Sequence, residues 1–278
     1  MSGPRGSAPV PFVPRPPTWA PRSWTGGTWS GLVRCVLAAN PGPMTLEGTN
    51  TWVLAQPGAS SCVVVDPGPL DDVHRRAVLD VVGERRVAAA LLTHDHPDHA
   101  AGAADFAAEA SCPVRAIGSG DDDLSDGDVV AEAGLELLVV TTPGHSADSI
   151  SFCLTQENAL LTGDTILGWG TTVVLWPDGV LEDYMKSLDR IAAMTGSGAV
   201  TDLLPGHGGP VADAPGVVRY YQEHRRERLA QVREVLAAGG RGVDQVVATV
   251  YADVDQVLWP AAARSVRAQL DYLGEPHE

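Results

Sequence analysis

One stretch of the sequence restricts the fold more than any other: Leu91-Leu92-Thr93-His94-Asp95-His96-Pro97-Asp98-His99. The small apolar residues leading into it, Ala88 to Thr93, predict a buried strand. Those from Pro97 to Glu109 are rich in alanine and predict a helix with proline in its first turn. The H-x-H-x-D-H run therefore occupies a strand-to-helix corner. Two-residue spacing in extended backbone sends His94 and His96 to the same side, where both imidazoles can reach one metal ion. Asp98 and His99 follow where the chain changes direction, and so address a second ion a few ångströms away. The helix dipole favours a carboxylate at this position by about 0.3–1 kcal/mol.

Three more segments share one design, a strand end or turn with a single candidate ligand beside glycine. They are Thr142-Pro143-Gly144-His145-Ser146, Leu161-Thr162-Gly163-Asp164-Thr165 and Leu204-Pro205-Gly206-His207-Gly208. Glycine lets the backbone turn sharply and lets an ion approach closely. The candidate set is His94, His96, His99, His145, His207, Asp98 and Asp164. These residues suffice for two ions with nitrogen and oxygen ligands: three histidines on one, a mixed set on the other and one carboxylate bridging. His74 and His224, on predicted helices, and His277, in the tail, read as solvated or structural.

Around these corners short β-branched runs alternate with alanine-rich stretches. Strands are predicted at Leu32 to Ala38, Thr51 to Ala55, Cys62 to Asp66, Ala88 to Thr93, Val114 to Ile117, Leu135 to Thr141, Ser149 to Leu154, Ala159 to Thr162 and Val200 to Leu204. Helices are predicted at Asp71 to Glu84, Pro97 to Glu109 and Leu181 to Met194. Many strands and few helices point to two packed sheets with helices outside. Beyond Pro210 the pattern becomes helical: a long charged helix over Ala214 to Ala238, then Val243 to Tyr251 and Trp259 to Leu273. The expected organisation is a Pro-rich disordered extension over 1–28, a catalytic domain over 29–210 and a helical domain over 211–278. The extension holds seven of the 21 prolines.

Composition narrows the functions. The 278 residues carry a formal net charge of -16, which argues against a surface built to coat phosphate backbones. The balance is uneven, since arginines 5, 15, 22 and 34 precede the first acid, Glu47. At 44% hydrophobic residues there is ample core. Apolar runs such as Val87 to Leu92 are far shorter than the roughly 18 residues of a membrane span. The four cysteines, Cys35, Cys62, Cys112 and Cys153, show no C-x-x-C spacing, and no secretory apolar segment precedes the first strand. Reduced thiols in a cytoplasmic protein with no membrane association are expected.

The four ligand segments in this order resemble the metallo-β-lactamase superfamily, and Asp66, ending Val63-Val64-Val65-Asp66, occupies that family's first motif. Further similarity runs through Asn40-Pro41-Gly42-Pro43-Met44-Thr45-Leu46-Glu47-Gly48-Thr49-Asn50-Thr51-Trp52, Gly163 to Val173, Tyr184 to Leu188, and Tyr221, His224, Arg225, Arg228 and Gln231. Together these resemble the β-lactamase-like protein 2 endoribonuclease branch, over roughly Val36 to Leu273. The resemblance implies an α/β fold, a four-layer αβ/βα sandwich with a small C-terminal, degenerate winged-helix-like appendage. It also implies two zinc ions, manganese or iron(II) being acceptable to the same ligands. His94, His96 and His145 would hold one and Asp98, His99 and His207 the other, with Asp164 bridging. Asp66 would orient ligands by hydrogen bonds without touching metal. Asp164 stands where the best-known zinc β-lactamases have cysteine, which argues against antibiotic hydrolysis. Ala101 departs from the family's D-H-x-G-G, and the appendage ends where related chains continue into a wing-like segment.

The implied activity is a binuclear zinc hydrolase using a metal-bridging hydroxide, with Asp98 and His207 as the catalytic pair. Single-stranded RNA is the expected substrate, with Asn50, Trp169 and Thr171 as residues of the substrate loops and the Trp169 ring available for stacking. The alternative is a thioester or ester hydrolase of the glyoxalase II type, which suits the acidic surface better. A metal-stabilised binding module is disfavoured by the complete ligand set. Arg219, Arg225, Arg226, Arg228 and Arg233, interspersed with Glu223, Glu227 and Glu234, read as a solvated, ion-paired helix face. The remaining partner expectation is a second copy of the chain in a homodimer.

Overall fold

A computed structural model describes residues 23–118, 120 and 122–277. Most of the predicted Pro-rich extension, residues 1–22, lies outside the described residues. Its last part does not behave as an extension. Gly27–Thr28 forms β1, and the Trp24 ring stacks on Trp52 with centroids 6.4 Å apart. The Trp24 indole N–H also donates to Asn50 at 2.8 Å, so the folded chain begins before residue 29.

Among the described residues the strands form two sheets. The first contains, in spatial order, β1, β2 (Val33–Leu37), β3 (Asn50–Leu54), β4 (Ser61–Val65), β5 (Arg86–Leu91), β6 (Val114–Ala116) and β7 (Asp122–Asp123). Pairing is antiparallel through β4 and parallel from β4 onward. The parallel crossovers are made by α1 (Asp72–Val82) and by α2 (Pro97–Ala100) with α3 (Ala103–Ala110). The second sheet runs from β8 (Val129–Glu132) through β9 (Leu135–Thr141), β10 (Ile150–Leu154) and β11 (Ala159–Gly163) to β12 (Asp202–Pro205). Here only the β11–β12 pair is parallel, joined through α4 (Leu181–Gly196). Helices α5 (Ala214–Ala237), α6 (Val243–Val250) and α7 (Trp259–Leu273) complete the chain.

Period-two alternation builds the layers. Val139, Phe152 and Leu161 face the first sheet and join Val53, Val63 and Leu91 in the central core. Their neighbours Val140, Cys153 and Leu160 face the other way, onto Leu188 and Ile191 of α4 and Val217 and Tyr221 of α5. A third core belongs to the appendage, where Val232 of α5 meets Val246, Val247, Val266 and Leu270. On α1, capped by Asp71, the buried positions are His74, Val78 and Val82, one face at four-residue spacing. His74 is therefore structural, its Nε2 2.8 Å from Thr51 Oγ1.

The single helix predicted over Pro97 to Glu109 is two helices. Ala101 has ordinary helical backbone, φ -61, and is exposed, so it needs no glycine. Gly102 caps α3 with its Cα against Pro69; a Cβ there would stand 2.6 Å from Pro69 O. The short strands β1, β7 and β8 were not predicted, being too brief or too polar to show alternation. All four cysteines are free thiols, and no described helix is long and apolar enough to cross a membrane.

Candidate metal centre

Parallel pairing explains why distant motifs meet. Strands β4 and β5 run in one direction, so Asp66 and the Thr93–His99 corner leave the first sheet at the same edge. Strands β11 and β12 do likewise, bringing Asp164 and His207 out together from the second sheet. The β9–β10 turn supplies His145. Main-chain bonds lock the two edges: Ile150 N–H donates to Thr93 O, and Asn50 N–H to Gly206 O, both at 2.8 Å.

The seven candidate ligands converge there. Nε2 of His94 and Nε2 of His145 lie 3.1 and 3.0 Å from Nδ1 of His96. Beside this trio, Asp98 Oδ2 is 3.1 Å from His207 Nε2 and 3.6 Å from His99 Nε2. Asp164 reaches both groups: its Oδ2 is 3.3 Å from His207 Nε2 and 3.7 Å from His145 Nε2, and its Oδ1 is 3.4 Å from His99 Nε2. Within each of three overlapping groups the donor atoms lie within 4.8 Å of one another: His94, His96, His145; His94, His99, Asp164; and Asp98, His99, His207.

The outward nitrogen of each histidine is held by a neighbour. Asp66 Oδ1 accepts from Thr93 N–H and its Oδ2 from Thr93 Oγ1–H, both at 2.8 Å. With its proton on Asp66, the Thr93 hydroxyl accepts from His94 Nδ1–H at 3.0 Å. Asp66 Oδ2 also accepts from His99 Nδ1–H at 2.9 Å. Val173 O accepts from His145 Nδ1–H at 2.8 Å and Gly48 O from His207 Nδ1–H at 3.1 Å. His96 Nε2–H donates to Asp178 at 2.9 Å. Each ring is thereby locked in the tautomer whose lone pair points inward.

These residues fit divalent cations on their own chemistry. Inward lone pairs about 3 Å apart repel unless positive charge lies between them. Asp164 Oδ1 is buried and accepts no hydrogen bond. Burial and the neighbouring His99 push His94 well below the usual histidine range, and burial lowers His145, so both favour the neutral form that binds metal. Burial opposes charge on His207 and His99 as well, yet Asp164 and its neighbouring carboxylates raise His207 to about 9 and hold His99 well above its ordinary value. Burial would raise Asp164, and the His207 and His99 imidazoles hold it well below the carboxylate range instead. This corner calls for positive charge. Gly206 preserves the room for it, since a Cβ would stand 2.6 Å from both Asp164 Oδ1 and His99 Cε1.

The other sequence-predicted residues divide. Asn50 is not a substrate-loop residue: it is buried, its amide donates to Pro205 O and Gly208 O, and it ties the two sheets beneath His207. Trp169 is half-buried, its indole N–H anchored on Glu47 at 3.0 and 3.1 Å. Thr171 lines a cavity at the seam with the helical appendage. The solvated helix face predicted for α5 needs correction at two positions. Arg225 and Arg228 are buried, and their guanidiniums donate to the main-chain carbonyls of Thr172 and Val250. Arg219, Arg226 and Arg233 are exposed. Sequence reasoning missed Asp178 and the Gly48 and Val173 carbonyls. Asp178 lies 82 positions from His96, and a backbone acceptor carries no residue-type signal.

Comparison with known proteins agrees with this architecture. A model of the metallo-beta-lactamase superfamily matches residues 44–122 and 116–207. The chain belongs to the metallo-beta-lactamase superfamily. Residues 243–275 match the beta-lactamase associated winged helix domain. A beta-lactamase-like protein 2 homolog of Drosophila melanogaster is 32% identical over 268 residues, 88% of each chain. An atrochrysone carboxyl ACP thioesterase of Aspergillus chevalieri is 32% identical, with 80% of this chain and 73% of that one covered. Among solved structures, a metallo-beta-lactamase family protein of Thermus thermophilus superposes with a TM-score of 0.73 at 22% identity, over 87% of this chain and 93% of the other. The superfamily's members are hydrolases, and this metallo-beta-lactamase chain is one.

Proposed function

We propose that the chain is a two-ion hydrolase of thioesters or esters. The observation that carries this reading is the fate of the helix arginines. Arg225 and Arg228, the cations nearest to a phosphate-binding role, are buried and bonded to main-chain carbonyls. The exposed charge joined to the centre is acidic instead: Asp178, bonded to His96, is exposed. A polyanionic RNA gains affinity from cations along its path, and the buried, carbonyl-bonded arginines offer it little. The relative named as a thioesterase supports the same reading.

Zinc, held by His94, His96 and His145 and by Asp98, His99 and His207 with Asp164 between, would supply a water activated at neutral pH and charge to offset the developing oxyanion. The rest falls to the chain. Burial works to raise Asp98, but the His207 hydrogen bond and His99 lower it, so it is ionised at pH 7 and acts as an acceptor. Its side chain is 28% exposed, enough to orient an attacking water from the open side. His207, fixed by Gly48 O, holds that carboxylate in place. A thiolate, from a thiol of pKa about 8.5, departs with little need of a proton, whereas an alkoxide needs one.

Single-stranded RNA is the second reading. It is favoured by Trp169, a half-buried aromatic residue in the loop after Asp164 whose N–H is tethered to Glu47. The test offers the zinc-loaded chain S-lactoylglutathione, an acyl-pantetheine and a single-stranded RNA side by side, with D98A as control. Thioester cleavage that needs zinc and falls at least about 100-fold in D98A is expected. RNA cleavage with the thioesters untouched would reverse the assignment.

A further inference from the structure

Between the metal domain and the appendage lies a cavity of about 240 Å³. Its floor is cationic. Arg225 is 5% exposed and Arg228 9%, and their hydrogen bonds among the described residues go to main-chain carbonyls and Gln231, to no carboxylate. Compensation is partial. The Arg225 guanidinium donates to Thr172 O and lies 4.8 Å from the Tyr184 ring centroid. Arg228 donates to Val250 O at 2.7 Å and to Gln231 at 3.1 Å, 4.9 Å from the Tyr251 ring. Two groups remain unused: Arg225 Nε and His224 Nδ1 are buried without a hydrogen-bond partner. Burial and the two arginines push His224 down to about 3, so it adds no positive charge of its own. Burying two guanidiniums without a counter-ion is costly, and an anion seated among them would offset that cost.

Among the remaining wall residues Met44, Val173, Val254, Leu258 and Ala262 are apolar, while Thr171, Thr172 and Ser265 add hydroxyls. A strongly hydrated inorganic anion would leave the apolar ones facing its own water. The volume corresponds to about eight waters of liquid, the bulk of a benzoate or hexanoate. We propose that this cavity binds a small organic carboxylic acid, its carboxylate on Arg225 and Arg228 and its apolar body against Val173 and Leu258. The site also touches the metal centre. The wall residue Val173 holds His145 through its carbonyl, and Thr172 Oγ1–H donates to Asp164 O at 2.6 Å. An occupant therefore presses on the segment that supports two of the candidate ligands.

The inference is independent of the reaction catalysed, because its test reads binding. The full zinc-loaded chain is titrated by calorimetry and ligand-observed NMR with hexanoate and benzoate, with 1-hexanol and benzamide as neutral counterparts, and with inorganic phosphate. The carboxylates should bind at least tenfold more tightly than the neutral compounds and than phosphate. L258W, which adds bulk to the cavity wall and keeps both arginines, should abolish binding, and R228Q should weaken it at least tenfold. If R228Q fails to fold, L258W decides alone. Equal binding of the neutral compounds, equal or tighter binding of phosphate, no binding of the carboxylates, or carboxylate binding unmoved in L258W, which would place the acid on zinc, each overturns the proposal.

Discussion

Asp66 is where a small change should separate the two halves of the centre. Its carboxylate is 1% exposed and accepts three hydrogen bonds, from Thr93 N–H, Thr93 Oγ1–H and His99 Nδ1–H. The backbone there is left-handed, φ 52, a conformation asparagine tolerates better than most residues other than glycine. In D66N the shape survives, but the amide offers one acceptor and one NH₂ group in place of two acceptors. With the oxygen kept on Thr93 N–H, the NH₂ faces Thr93 Oγ1 and His99 Nδ1. The threonine hydroxyl can reverse to accept, and it still accepts from His94. His99 has no such escape: it loses its partner or moves its proton to Nε2, the atom that would bind metal. Second-ion affinity should fall about 10- to 100-fold, about 1.4–2.8 kcal/mol. The first ion, on His94, His96 and His145, should be held within about threefold. The metal-free protein should lose about 1–3 kcal/mol to urea from the mismatched buried group. Zinc competition against a chromophoric chelator resolves the two steps. Two affinities unchanged, or both weakened equally, would refute this reasoning.

Three further outcomes follow from the same contacts. G206A places a methyl group where Asp164 and His99 meet, so zinc stoichiometry measured after dialysis should drop while circular dichroism stays native. D178A removes the acceptor from His96 at a half-exposed position, and first-ion affinity should fall about tenfold, the low end of such effects, by the same titration. His224 gives a pH signature. Its folded pKa, about 3, lies below the ordinary histidine value of 6.5, so only the unfolded chain takes up its proton as pH falls through 6.5. The stabilisation is complete above about pH 6.5 and is lost progressively towards pH 3, amounting to about 2 kcal/mol between pH 7 and 5. Urea unfolding of wild type and H224F at the two pH values should show that difference in slope, and parallel behaviour of the two proteins would contradict it.

Much of this was legible before the structure, for physical reasons that can be named. A ligand after a strand is marked by residue type and by glycine, and Gly144 and Gly206 are required because a Cβ would strike Tyr184 in one case and Asp164 in the other. The elements around the site carried strong periodicity, so β9 and α7 appear with their predicted ends. What could not be read was which polar side chains face inward. Arg225 and Arg228 sit on a helix patterned with glutamates like any solvated face, and contacts with distant segments bury them, Thr172 and Tyr184 for the first, Val250 and Tyr251 for the second. Asn50 lies in a polar run resembling a loop, yet β3 carries it under His207. The break in the helix after Ala100 turns on Gly102 meeting Pro69, a contact between segments 33 positions apart.

The central claim is that seven side chains from four strand ends form one centre for two ions. Anomalous diffraction from crystals of the zinc-loaded protein tests it directly. Two peaks about 3.5–4 Å apart are predicted, one among His94, His96 and His145 and the other among Asp98, His99 and His207, with Asp164 touching both. A single peak, or zinc bound away from these residues, would contradict it.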